Sequence, residues 1–175
     1  MTTRPSKNRY YLNIAKEVAQ RSTCFRAKSG AIIVRDDQII ATGYVGAPRK
    51  TKDCFERGNC LRDKMKIPHG ERYELCRSVH AEQNAIINAA RAGVSVLGGT
   101  MYLYTQDRQG KVINTFPCYF CKRMIINAGI EKIVCSADNE EGLKIFSVAD
   151  WVKEWQEQDI IDDKYKYKFE DKELL

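Results

Sequence analysis

A chain of 175 residues with 29 Lys and Arg against 23 Asp and Glu carries a net charge of +6, and 43% of it is hydrophobic. That is long enough to bury one real core, and the interspersed charges describe a solvated surface rather than a nucleic-acid-coating one. No apolar run nears the ~20 residues of a membrane span, and the start lacks the apolar stretch and cleavage site of a signal peptide, so a cytoplasmic protein with no membrane partner is expected.

In chain order, Leu12, Ile14, Ala15, Val18 and Ala19 recur on one face and predict a helix from Tyr11 to Arg21. Two β-rich runs follow, Ala31 to Val34 and Gln38 to Tyr44, and the polar pair Asp36-Asp37 predicts a hairpin between them. From Gly46 to Arg77 no periodicity is sustained, and Pro48, Gly58, Pro68 and Gly70 punctuate the run. A Cys-rich insertion at about 46–77 needs something to pin it within a compact domain. His80 to Ala92 is rich in helix formers and stops at Gly93. Met101 to Thr105 predicts a strand, Gln106 to Asn114 an inserted hairpin or loop, Tyr119 to Ala128 a helix ended by Gly129, and Ile133 to Ser136 another strand. An amphipathic stretch, Val148 to Gln158, precedes a polar tail. Its KYKYKF segment, Lys164 to Phe169, is flanked by acids and is expected at a solvated edge or a subunit contact rather than on nucleic acid. Alternating helices and strands with no linker or repeat predict one α/β layered domain, residues 1–175, around a central sheet.

The seven cysteines, at 24, 54, 60, 76, 118, 121 and 135, are odd in number and favour metal ligation over a disulfide framework. His80-Ala81-Glu82 places a histidine and a glutamate two apart at a helix start, and Pro117-Cys118-Tyr119-Phe120-Cys121 opens the next helix with a CxxC pair. Two thiolates and one imidazole suit tetrahedral zinc and leave the fourth position for water, as in catalytic sites. Thiols at a helix start have their pKa lowered by the dipole. Glu82 leaves the backbone in another direction from His80, so it is expected to carry protons without ligating the metal. The opposing reading is a closed structural zinc or redox dithiol at Cys118 and Cys121, which gives Glu82 no role.

The pattern H-x-E followed by P-C-x-x-C resembles the zinc-dependent cytidine and deoxycytidylate deaminases. Arg21-Ser22-Thr23-Cys24, Gly30 to Val34, Gly43 to Pro48 and Cys76-Arg77-Ser78-Val79 are similar to the deoxycytidylate branch, so the resemblance covers roughly residues 10 to 140. It implies a three-layer α/β/α sandwich around a five-stranded mixed sheet and one catalytic zinc per chain on His80, Cys118 and Cys121. Glu82 would then move a proton from the zinc-bound water to ring N3 and on to the departing ammonia as deoxycytidylate becomes deoxyuridylate. A small-molecule nucleotide as partner and a homo-oligomer, dimer or hexamer, come with it.

Cys24, Cys54, Cys60 and Cys76 are expected to hold a second, structural zinc that anchors the irregular segment, a feature such relatives can carry. His69 in place of one thiol is the alternative, and buried free thiols acting as small hydrophobes are the reading against it. Cys135, within a strand, is expected to be such a hydrophobe, and Tyr102 and Tyr104 to be core. In the resembled family a GYNG-type loop holds the sugar through its asparagine, whereas this chain has Gly43-Tyr44-Val45-Gly46. Val45 and Gly46 are therefore expected at the substrate, with a looser hold on the sugar hydroxyl. Arg49 is expected to meet a 5′-phosphate or else to belong to a solvated basic turn, and Gln106 to Asn114 to form a lid at the rim. The competing functions are deamination of another cytosine nucleoside, nucleotide or base in nucleic acid, and a non-catalytic zinc-containing nucleotide-binding protein. Glu82 argues against the last.

Overall fold

The computed structural model describes residues 4–68 and 70–157. Helix α1, Lys7–Ala19, buries Tyr11, Leu12, Ala15 and Ala19. It begins before the predicted start because the Ser6 hydroxyl accepts from the Arg9 N–H at 3.2 Å, and its polar first turn carries no hydrophobic period. Strands β1, Ala27–Arg35, and β2, Gln38–Tyr44, form the expected antiparallel hairpin. Asp36 and Asp37 both sit at positive φ, 50° and 60°, the turn geometry that matches the twist of paired strands.

The irregular segment contains only the short helix α2, Leu61–Lys64, and a 3₁₀ turn, Tyr73–Leu75, among its described residues. Beyond it come α3 (Ala81–Arg91), β3 (Thr100–Asp107), α4 (Tyr119–Asn127), β4 (Lys132–Ser136), β5 (Leu143–Ser147) and α5 (Val148–Glu157). The sheet order is β2-β1-β3-β4-β5, with β3 and β4 parallel and the other neighbours antiparallel. This is the mixed five-stranded sheet implied by the resemblance. Its last strand escaped the reading of elements, because Leu143–Ser147 is an edge strand with only half-buried or exposed positions.

Alternation along the strands divides the core in two. Ile32, Val34, Tyr102, Tyr104 and Val134 face α1, while Ala31, Ile33, Met101, Leu103, Ile133 and Cys135 face α3, α4 and α5. The helices lie unusually close to the hairpin. A Cβ on Gly30 would stand 2.4 Å from the Ala15 carbonyl oxygen, and one on Gly43 would stand 2.3 Å from the Ala85 nitrogen and 2.4 Å from the Ala81 oxygen. Ala15 and Ala19 of α1, and Ala81, Ala85 and Ala89 of α3, supply the small faces that this approach requires. Among the described residues no helix is long and apolar enough to cross a membrane.

Candidate active site

Two helix starts converge on one point. His80 is the N-cap of α3 and Cys118 the N-cap of α4, so both elements aim their unpaired N–H groups and positive dipole ends toward the same place. The backbone of His80 is held from two sides. Gly46 and Val79 exchange hydrogen bonds of 3.2 and 2.8 Å just before it, and the Gln83 side chain accepts from the His80 N–H at 3.1 Å. Gly46 thus fixes the histidine, while Val45, itself buried, lines the cavity in front of it.

The His80 Nδ1 lies 3.4 Å from the Cys118 sulfur and 3.4 Å from that of Cys121, and all three donor atoms fall within 4.8 Å of one another. Ligand bonds of ordinary length about a tetrahedral zinc would place nitrogen and sulfur about 3.6 Å apart. The charges fit as well. A bond from the Cys121 thiol, with help from His80, holds Cys118 down to about 4, against the pull of burial. Cys121 is pushed up by that same bond to Cys118 and by burial. Burial pulls His80 down, but its bond to Cys118 and the charges of Glu82 and Cys118 together raise it on balance. One thiolate is stable in this crowd and a second is not, which is the imbalance a divalent cation relieves.

Glu82, in the first turn of α3, is 6% exposed and reaches the Cys121 side of the triad. Burial pushes its carboxyl up from the usual range, while His80 pulls it down. A raised carboxyl suits a group that must both take and give a proton.

The triad opens into a cavity of about 300 Å³. Its floor is a chain of hydroxyls. Ser29 and Thr105 pair at 2.9 Å, the Ser136 hydroxyl accepts from the Thr105 N–H at 3.0 Å, and Ser136 meets Thr115 at 2.9 Å. No motif in the sequence marks these groups. The signal was the inward face of β1 and β3, which runs Ile33, Ala31, Ser29 and Met101, Leu103, Thr105, changing from apolar to hydroxyl toward the cavity.

Cys24, Cys54, Cys60 and Cys76 all reach the wall of this cavity, so the fold brings the second cysteine group together. Among the described residues, however, only His80, Cys118 and Cys121 form a set of three donors within 4.8 Å. His69 and the KYKYKF tail lie outside the described residues. Arg49 is exposed, and its Nη2 donates to the Asn88 side chain at 2.7 Å on α3, away from the cavity lining. The Gln106 to Asn114 segment is a hairpin extension of β3, bridged between Gln106 and Val112, and its Ile113 and Asn114 line the cavity. Asp63 of α2 ties it to the hairpin of β1 by pairing with both Arg26, at 2.7 Å, and Arg108. Cys135 and both tyrosines are buried in the core as expected.

Residues 5–137 match the family described as the cytidine and deoxycytidylate deaminase zinc-binding region. The chain is 35% identical over 131 residues to the deoxycytidylate deaminase of Schizosaccharomyces pombe, a match covering 75% of this chain and 37% of that protein. It is 35% identical over 137 residues to that of Mycobacterium phage D29, covering 75% of this chain and 95% of the phage protein. The chain therefore spans less than half the length of the yeast relative and nearly all of the phage one. Among solved structures, the dCMP deaminase of cyanophage S-TIM5 superposes with a TM-score of 0.56 at 26% identity, covering 79% of this chain and 88% of that one. With the matched region taking in both motifs and most of the described sheet, the chain belongs to the cytidine and deoxycytidylate deaminase family.

Proposed function

We propose that the protein is a hydrolytic deaminase, a single domain converting deoxycytidylate to deoxyuridylate and ammonia. The observation that carries this reading is a buried carboxylate, Glu82, beside a His-Cys-Cys donor set at the inner end of a nucleoside-sized cavity. The relatives' names support the substrate. The cyanophage enzyme has also been solved in complex with dCMP and dUMP, with 26% identity and a TM-score of 0.55.

His80, Cys118 and Cys121 would hold the catalytic zinc, and the chemistry a bound zinc supplies is activation of water at neutral pH. Glu82 does the proton work. Its carboxylate takes a proton from the attacking water and passes it to ring N3 as the bond to C4 forms. A second transfer puts a proton on the amino group at C4, which leaves as ammonia while the ring carbonyl is established. The α3 backbone, clamped by Gly46 and Gln83, keeps this carboxylate in register with the metal ligands. Val45, Leu103 and Phe116 give the cavity apolar surface that limits water. At Val45 the wall offers no donor or acceptor to a sugar hydroxyl, so recognition there rests on shape.

The same reading includes a second, structural zinc held by Cys24, Cys54, Cys60 and Cys76, or by His69 in place of one of them. Support comes from the shared wall of four thiols and from the need of residues 46–77 for an anchor. It also includes a homo-oligomer, dimer or hexamer, and a cytoplasmic setting. The direct test is an ultraviolet assay of the zinc-loaded chain over cytidine, deoxycytidine, CMP, dCMP and single-stranded DNA. Fastest turnover of dCMP is expected, and turnover of none of them overturns the reading.

A further inference from the structure

Among the described residues one buried cation in the cavity wall forms no ion pair with a carboxylate. Arg62 of α2 is 4% exposed, and its Nη2 donates to the carbonyl oxygens of Pro68, at 2.8 Å, and Glu71. Its Nε is fully buried without a hydrogen-bond partner among the described residues. Arg77, half-buried in the same wall, spends Nη1 and Nη2 on the carbonyl and side-chain oxygens of Asn59 at 2.8 and 3.2 Å. Among the described residues no carboxylate forms an ion pair with either, whereas Arg26 nearby is taken by Asp63. The acids that share the lining are otherwise engaged. Glu82 sits against the thiols, and one Asp107 oxygen accepts from the N–H groups of Gln109 and Lys111. A guanidinium taken out of water normally keeps an anion beside it; Arg77 turns Nη1 toward the Cys54 sulfur at 3.9 Å, whereas Arg62 pairs with no carboxylate among the described residues, so the geometry leaves the anion of Arg62 to arrive with the ligand.

The spacing fits a nucleotide whose base lies at the donor set. The Tyr73 ring packs edge-on against the His80 ring with 4.8 Å between centroids, and the Arg62 guanidinium lies 4.6 Å from the centre of the Tyr73 ring. The cation therefore stands one aromatic ring beyond the metal ligands, with room for a sugar over the hydroxyl floor of Ser29, Thr105 and Thr115.

We propose that Arg62, seconded by Arg77, binds the phosphate of a nucleoside monophosphate and is the specificity-determining group that selects nucleotide over nucleoside. This rests on the deaminase reading above and assigns the phosphate to the Cys-rich insertion rather than to Arg49.

The test compares kcat/KM for dCMP and for deoxycytidine in wild type, Arg62→Gln, Arg62→Lys and Arg77→Gln. Losing a charged hydrogen bond to phosphate is expected to lower the dCMP-to-deoxycytidine ratio about 10- to 100-fold in Arg62→Gln. Arg62→Lys should restore part of it, and Arg77→Gln should show a smaller drop. An unchanged ratio, or an equal loss on both substrates, overturns the proposal. A second measurement, on the wild type, does not depend on the variants folding. Product dUMP should raise the melting temperature more than deoxyuridine does, and equal shifts overturn the proposal. Because this binding comparison needs no turnover, failure of the phosphate subsite is distinguishable from failure of the deaminase reading, which shows as no turnover of any cytosine substrate.

Discussion

Glu82 is a carboxylate placed where burial resists its charge, with Cys118 repelling it while His80 and a bond from Cys121 favour it. Such a position is tolerable only for a group with work to do there, since an amide of the same shape would avoid the penalty of desolvation. Glu82→Gln is expected to keep zinc, because the proposed ligands are His80, Cys118 and Cys121, and to lose turnover by at least ~10²–10⁴-fold, because glutamine accepts no proton. Elemental analysis with the ultraviolet assay checks both, and turnover within about tenfold of wild type removes Glu82 from the mechanism. At this scale the donor cluster was legible and the far wall of the cavity was not. His80, Glu82, Cys118 and Cys121 sit at helix starts, where spacing in the chain becomes spacing in space. Arg62, Tyr73 and Arg77 come from a segment without periodicity, so nothing in their order told which would turn inward. Arg49 was singled out for following the Gly43–Gly46 loop, yet it folds back onto Asn88.

Helix α3 carries the histidine and the glutamate, and its position depends on an absent side chain. Gly43→Ala drives a methyl into the backbone of α3 at Ala81 and Ala85, atoms that no rotamer change can clear. A loss of about 1–3 kcal/mol or more is expected, with lower zinc content in whatever folds, since His80 moves with the helix. Thermal melts with metal analysis check this. The hairpin that holds Gly43 is tied to α1 through Asp37. Lys7, then Tyr11, hold its carboxyl below the usual range, so this contribution exists at neutral pH and is lost as the pH falls through the lowered value. Asn also tolerates the positive φ at this turn. Asp37→Asn should thus melt below wild type at pH 7, with the gap closing as the pH falls below the ordinary carboxylate range, and a gap constant with pH would contradict the assignment. The hairpin was readable because two runs of β-formers flank an acidic pair. β5 was not, since Lys144 interrupts its short exposed run and pairing with β4, a tertiary event, defines it.

Taken whole, the molecule joins α3 and α4 at the donor set and leaves its long insertion to fold around thiols. Metal should therefore report on the fold as well as on activity. About two zinc ions per chain are expected, with Cys54→Ser losing one and melting lower while keeping the catalytic ion. Elemental analysis of the wild type finding one ion would remove the structural site. The close seat of α3 on Gly43 has one more consequence. At the chemical end of the cavity, spacing is set by main chain against main chain, and that leaves no slack for substitution. At the other end the wall is long arginine and tyrosine side chains on an irregular segment, where exchange of a single residue reshapes the space. The protein thus separates what it does from what it does it to, and new substrates can be explored at one end with the reaction untouched at the other.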